Sequence, residues 1–421
     1  MQRIIITNIK TLYTSTGSSL LKGQAMNQLI ELKDAYIVIQ DAMIFALGTG
    51  SYQQYLQSDS IIHDAKGAIA VPGFIDSHTH LVHGGSRESE FAMKLEGIPY
   101  LDILKSGGGI LSTVEITRHA SFEVLYAQAK KSLDEMLLFG VTTIETKSGY
   151  GLDLENEIKQ LKVAKTLDEK HPIDIVSTYM GAHAIPKELI DDRDTYIVNV
   201  IDSLSKIAKL KLAEAVDVFC ENDVFSLEET RLILQKAKEL GFSVRLHADE
   251  IHSIGGAGLA VDLKAVSADH LMAMDELDMD KMAQSDTVAN LLPQTSFYLN
   301  KEYAKARLML SKGIAIAISS DYNPGSAPSE NFQFAMQLAA NKMRLTPSEI
   351  LNAVTINPSV ILNRNYSVGS LEVGKKADIV LLKAPNLEYI FYHFGINHTQ
   401  DVFKSGLLVV RDRMIIYEVI L

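Results

Sequence analysis

A chain of 421 residues, 47% hydrophobic and 22% charged, is large enough for a sizeable core and too long for one small domain. Its formal net charge of −12, with no Lys/Arg-rich run, argues against nucleic acid and anionic membrane as partners, and its single cysteine, Cys220, excludes an internal disulfide framework. No apolar run approaches the roughly 18–20 residues that cross a bilayer, and the opening residues lack a signal-length apolar core, so a reducing cytoplasm is the expected location.

Residues 1 to about 70 read as short β-branched and apolar strands with turns, at 3–6, 35–39 and 44–47. From residue 72 the pattern changes to apolar strand-like runs alternating with amphipathic helical stretches. The predicted strands are 73–78, 142–146, 173–180, 216–220, 243–247, 265–270, 287–292 and 314–320. The predicted helices include 122–138, 154–167, 227–240, 274–283 and 329–341. Such alternation implies a parallel sheet covered by helices, and eight strands over this length fit an α/β fold of the (β/α)8 TIM-like barrel type. A doubly wound open sheet is the alternative, but no Gly-x-Gly-x-x-Gly turn or phosphate loop supports it. Gly107-Gly108-Gly109 lacks the lysine of such a loop and reads as a mobile loop or lid, or as a plain flexible turn. The last stretch again reads as strands, at 377–382 and 407–410, with Gly369, Gly374 and Gly406 at turns. The two ends, 1–71 and 360–421, are therefore expected to join in a composite small β-sandwich domain beside a catalytic barrel of residues 72–359.

In such a barrel, chemistry sits where strands end. A histidine or carboxylate closes nearly every predicted strand. His78 and His80 follow the first, and residues two apart on an extended strand point the same way. Glu145 and Lys147 close the second, with Tyr150 just beyond. His183 follows the third, Cys220-Glu221 the fourth, His247-Ala248-Asp249-Glu250 the fifth, Asp269-His270 the sixth and Asp321 the eighth. A lone His-x-His carries little weight. Joined by His247 and Asp321, His78 and His80 make a three-nitrogen, one-carboxylate set that suits one divalent metal per subunit. Zinc matches these ligands, and Fe2+ or Fe3+ accepts similar ones.

The segments that carry a family likeness are more particular. They are Asp76-Ser77-His78-Thr79-His80-Leu81-Val82-His83-Gly84-Gly85-Ser86-Arg87, Glu145-Thr146-Lys147-Ser148-Gly149-Tyr150-Gly151-Leu152, Met180-Gly181-Ala182-His183-Ala184-Ile185-Pro186, His247-Ala248-Asp249-Glu250, Ala268-Asp269-His270 and Asp321-Tyr322-Asn323-Pro324-Gly325-Ser326. On them the chain resembles the amidohydrolase superfamily and, within it, the imidazolonepropionase family, over essentially its whole length. The resemblance implies a hydrolase of histidine degradation. It would open the ring of the anionic substrate 4-imidazolone-5-propionate to N-formimidoyl-L-glutamate, with metal-activated water attacking the cyclic amide carbonyl. It implies Asp321, Glu250 and His270 as proton carriers or oxyanion stabilisers. It implies Arg87 as the grip on the propionate carboxylate, with Tyr150, His183, Glu250, Asn323, Gly325 and Ser326 as further substrate contacts. Members with two metals often carry a modified lysine on the fourth strand. None stands there, and Lys147 lies on the second, so one metal is expected; so is a homodimer.

Two other functions compete. A ring deaminase of the same superfamily would also use His-x-x-Glu after the fifth strand, but a neutral base gives Arg87 no carboxylate, and deamination releases ammonia. A non-catalytic barrel scaffold would be expected to lose ligands, whereas all four are present. The remaining histidines, at 63, 83, 119, 171, 252, 393 and 398, read as structural or surface residues, His252 least comfortably. Cys220 reads as a small buried hydrophobe, and Tyr100 as either a pocket residue or an amphipathic contact.

Overall fold

The computed structural model describes residues 3–98 and 108–417. Tyr100 and Gly107, both singled out above, lie outside the described residues.

Eight parallel strands follow one another in chain order: Phe74–Asp76, Val141–Lys147, Asp174–Ala182, Ala215–Cys220, Ser243–Ala248, Ser267–His270, Val288–Leu291 and Ile316–Ile318. These are the eight expected strands, with ends shifted by a few residues. The ring closes just past the first and last strands. Asp321 donates its N–H to the His78 carbonyl (3.1 Å), and His80 donates to that of Tyr322 (2.8 Å). The extended segment that carries both histidines is thus pinned between the second strand and the eighth. Every residue of Val141–Lys147 is buried, as befits a strand with a packed interior on one side and helices on the other.

The covering helices form where apolar residues recur on one face. Phe122–Leu138 buries Leu125, Ala129, Leu133, Met136 and Leu137, and the Ser121 hydroxyl caps it by accepting from Val124 N–H. Leu227–Glu239 starts with a capping box between Ser226 and Glu229. Several helices stand in stretches where none was named, the longest of them Ile110–His119 and Arg193–Leu210. The second has a helical apolar spacing (Tyr196, Ile197, Val200, Leu204, Ile207) diluted by polar residues.

Both chain ends build one nine-stranded mixed sheet. Its order is Met414–Ile415, Leu407–Arg411, Thr399–Lys404, Ile379–Leu382, Ile69–Pro72, Ile4–Thr14, Ile30–Gln40 and Met43–Thr49, with Ile61–Asp64 beside Ile4–Thr14. The strands 61–64, 69–72, 399–404 and 414–415 were not predicted. Ile69–Pro72 is where the ends meet, parallel to Ile4–Thr14 and antiparallel to Ile379–Leu382. Strand alternation then divides the sheet's two faces. Ile379 and Leu381 join Ile6, Ile9, Leu12, Ile37 and Phe403 in the terminal sheet's own core, while Val380 and Leu382 join the core of the barrel and its helices. Gly73 carries the chain from this sheet into the barrel, at a point where a Cβ would stand 2.2 Å from Thr142 Oγ1.

Candidate active site

The strand ends bring five imidazole rings and two carboxylates together. His78 and His247 lie 4.6 Å apart by ring centroids, His78 and His80 5.4 Å, and His247 and His270 5.0 Å. His183 stacks on His80 at 5.0 Å. Asp321 Oδ1 lies 3.4 Å from His78 Nε2 and 3.7 Å from His80 Nε2. Two groups of potential ligand atoms share His78, each set within 4.8 Å: His78, His80 and Asp321, and His78, His247 and His270. The expected four ligands are thus brought together, and His270 stands as close as a ligand would.

The donor chemistry fits a divalent metal. Buried polar atoms are nearly always partnered, yet His78 Nε2 is buried with no hydrogen-bond partner. Its Nδ1 faces Asp269 Oδ2 at 2.6 Å, and His247 Nδ1 faces Asp217 Oδ1 at 3.1 Å. Each carboxylate holds Nδ1–H and leaves Nε2 as the ligating atom. Burial holds His78, His80 and His270 well below the usual imidazole range, so their rings are neutral, the form that binds metal.

Under the site lies Lys147, fully buried, with Nζ 2.9 Å from Glu145 and 3.0 Å from Asp217, and 3.9 Å from Asp269. Against the cost of burial, His247 and Lys147 hold the Asp217 carboxyl well below its ordinary range, while burial pushes Asp269 up to about 6. The sequence alone places Lys147 at a strand end and assigns no role to Asp217 or Asp269. An aspartate inside an apolar strand, as at 217, was the available signal.

Glu250 has an oxygen 3.5 Å from His270 Nε2. Burial, with Asp321 adding to it, pushes its carboxyl up to about 8, so it carries a proton at neutral pH. Burial likewise raises Asp321 to about 6, and the Thr295 hydroxyl donates to its outer oxygen. His270 and Asp321 both take left-handed backbone, φ 76° and 59°, which is uncommon outside glycine and concentrates at functional sites.

Arg87 lies at the mouth. Its Nε and Nη2 donate to the two oxygens of Glu90 at 3.1 and 2.9 Å. Its Nη1 lies against Gly325, where a Cβ would stand 2.1 Å away, so a larger residue there would push the guanidinium aside. A cavity of about 260 Å3 opens beside it, lined by Arg87, Tyr298, Tyr322, Asn323 and Pro324 among others. Asn323 and Ser326 turn toward each other: Asn323 Oδ1 accepts from the N–H groups of Gly325 and Ser326, both at 2.8 Å. Tyr150 is buried within 5.8 Å of the His80 ring and 5.4 Å of His183. His252, the least settled of the histidines, pairs with Glu221 at 2.9 Å and shapes the loop after the fifth strand.

Residues 69–409 match the amidohydrolase family. The chain is 50% identical to the imidazolonepropionase of Alkaliphilus metalliredigens over 415 residues, 97% of this chain and 98% of that one. It is 50% identical to that of Fusobacterium nucleatum over 409 residues, 97% and 99% of the two chains. The chain belongs to the amidohydrolase family, among the imidazolonepropionases. Solved structures share the fold at much lower identity. An Escherichia coli guanine deaminase aligns at TM-score 0.73 and 13% identity over 97% of this chain and 99% of that one. An adenosine deaminase from Xanthomonas campestris with bound zinc aligns at TM-score 0.71 and 17% identity over 99% and 94%. Both fix the architecture of barrel plus terminal sheet and leave the reaction to the site. The strand-end motifs therefore point to a hydrolase of cyclic amide C–N bonds.

Proposed function

We propose that the protein opens the imidazolone ring of 4-imidazolone-5-propionate by hydrolysis, giving N-formimidoyl-L-glutamate in histidine degradation. The observation that carries this reading is the half-identity to imidazolonepropionases over nearly the whole chain, with an arginine on the rim of the metal-suited cluster to meet a carboxylate. His78, His80, His247 and Asp321 would hold one divalent ion. Zinc is the proposed resident ion for three imidazole nitrogens and a carboxylate, with iron the competitor. When bound, that ion lowers the pKa of a coordinated water toward neutrality and polarises the ring carbonyl.

This chain's own residues supply the rest. Arg87, already held edge-on by Glu90, would offer Nη1 to the propionate. Asp321 would accept a proton from the attacking water as its oxygen bonds to the carbonyl carbon. Glu250, neutral below about pH 8, would deliver a proton to the ring nitrogen as the C–N bond breaks. His270, beside Glu250, would steady the developing oxyanion. Tyr150, His183, Asn323, Gly325 and Ser326 would frame the ring and side chain. Every one of these residues comes from one subunit, so each subunit of a homodimer would hold a complete site. Residues 72–359 are proposed as the catalytic unit and 1–71 with 360–421 as its support. Among the described residues no helix is long and apolar enough to cross a membrane, and the single cysteine suits the cytoplasm.

The test is loss of imidazolone absorbance when freshly generated substrate meets metal-loaded protein, against a chelator-treated control. Metal-dependent loss with formimidoyl-glutamate as product is expected. Ammonia release from a heterocyclic amine, with the imidazolone untouched, would replace this reading with a deaminase.

A further inference from the structure

The segment Ser148-Gly149-Tyr150-Gly151-Leu152 turns sharply in a buried place, where each backbone N–H needs a partner. The following helix, Leu154–Lys170, supplies partners from its first two turns. Glu157, 1% exposed, accepts from Gly149 N–H (3.0 Å), Gly151 N–H (2.8 Å) and Leu152 N–H (2.9 Å). Gln160 accepts from Tyr150 N–H at 3.2 Å and donates to the Val82 carbonyl at 2.6 Å. A Cβ at Gly151 would lie 2.5 Å from Glu157 N, and Gly149 sits at φ 110°, so the two glycines let the loop wrap around one carboxylate.

The consequence falls on His183. Held this way, Gly149 turns its carbonyl oxygen to within 3.0 Å of His183 Nδ1. A carbonyl oxygen only accepts, so Nδ1 must carry the hydrogen, and a neutral ring then keeps its lone pair at Nε2. Among the described residues no carboxylate forms an ion pair with this ring, and its imidazole neighbours are the His80 and His247 rings at 5.0 and 6.1 Å, so nothing beside it holds a second proton. A His183 of this form, stacked on His80 and beside Tyr150, can accept one hydrogen bond from a ligand and can donate none.

We propose that Glu157 is a positioning residue which, through the Gly149 carbonyl, fixes His183 as a hydrogen-bond acceptor, so that the substrate ring must present an N–H to it. The identity of that ring rests on the ring-opening reading; the state of His183 does not. An imidazolone satisfies the requirement with its ring N–H. An analogue methylated on that nitrogen leaves Nε2 facing no donor.

The experiment is two-bond 15N–1H correlation on the full chain labelled at histidine nitrogens, with His183 assigned by loss of its signals in His183→Asn. The expected result is a single Nδ1–H form in the native protein. An Nε2–H form there would overturn the proposal whether or not any variant folds. In Glu157→Gln, one acceptor oxygen becomes a donor facing N–H groups, so His183 should lose its single form. KM should rise about tenfold, the worth of one ligand hydrogen bond, with kcat and metal content within about twofold of native. A folded Glu157→Gln with native His183 signals and native KM would also overturn it. If the ring-opening reading alone fails, there is no turnover of imidazolone while the Nδ1–H form stands.

Discussion

Two buried lysines in this molecule look alike locally and do different things. Lys147 sits 2.9 Å from Glu145 and 3.0 Å from Asp217; Lys404 sits 2.7 Å from Asp378 and 2.8 Å from Asp174. In each case the carboxylates outweigh burial and hold the ammonium above its ordinary range. They differ in what else the carboxylates contact. Around Lys147, Glu145 contacts Arg245 at 3.1 Å, but Asp217 reaches His247 and Asp269 reaches His78. Around Lys404 the carboxylates end on the Ser405 backbone N–H, at 2.7 Å from Asp378, and on Lys376, at 3.1 Å from Asp174. Asp174 opens the third barrel strand, at the end opposite the chemistry, so Lys404 clips the terminal sheet to the barrel floor. A buried ion cluster is therefore no mark of a site by itself. What marks one is a chain of hydrogen bonds that ends on imidazoles and leaves their other nitrogens free to ligate.

The sharpest break removes such a terminus. His247→Ala should lower metal content and activity together, with activity falling to background. Full activity with native metal content in that variant would dissolve the ligand set. The next largest effect lies outside both networks. Glu250→Gln should keep the metal and lose about 10²–10⁴ in kcat, the usual worth of a positioned acid. Glu250 is pushed up to about 8 chiefly by burial. The native rate carried by its neutral form should therefore fall as pH rises through about 8, and the residual rate of Glu250→Gln should lack that alkaline limb. Retention of the limb in the variant would assign it to another group.

The comparison itself is tested by treating the two lysines identically. Removing one partner of a buried charge cluster costs about 3–5 kcal/mol in general, so Lys147→Met and Lys404→Met should both unfold earlier in denaturant. Only Lys147→Met should also weaken metal binding, by about 10–100-fold, as expected for loss of support behind ligating histidines. Equal metal affinity in the two variants, measured by competition with a chelator, would erase the distinction.

Much of this was legible in the sequence, for a definite reason. Buried parallel strands read as apolar runs, and the barrel puts its polar chemistry at their ends, so one pattern gave all eight strands and the ring of histidines. What stayed hidden depends on contacts between distant residues. Asp217 and Asp269 matter because their strands lie beside that of His247 and near His78, and Glu157 matters because its helix folds back over the preceding loop. The pairing of Ile69–Pro72 with Ile379–Leu382 joins residues some 310 apart in the chain, and no periodicity encodes that. Arg193–Leu210 escaped notice for a local reason: its apolar stripe is diluted by Asn199, Asp202, Ser203 and Ser205.

Arg87 offers a third kind of ion pair, and the smallest expected effect. Its partner Glu90 also accepts from Gly109 N–H at 2.9 Å, so the pair is anchored on both sides. Unlike Lys147 it reaches no imidazole, and unlike Lys404 it leaves one nitrogen, Nη1, beside an open cavity. By the rule drawn from the two lysines, its function should follow from that free edge. Arg87→Ala should therefore raise KM for the carboxylate-bearing substrate by about 10–100-fold, the range of a charged hydrogen bond, while metal affinity stays native. A substrate analogue without the carboxylate should be handled equally by both proteins. An unchanged KM for the natural substrate would leave the pair as a structural clip of the Lys404 kind.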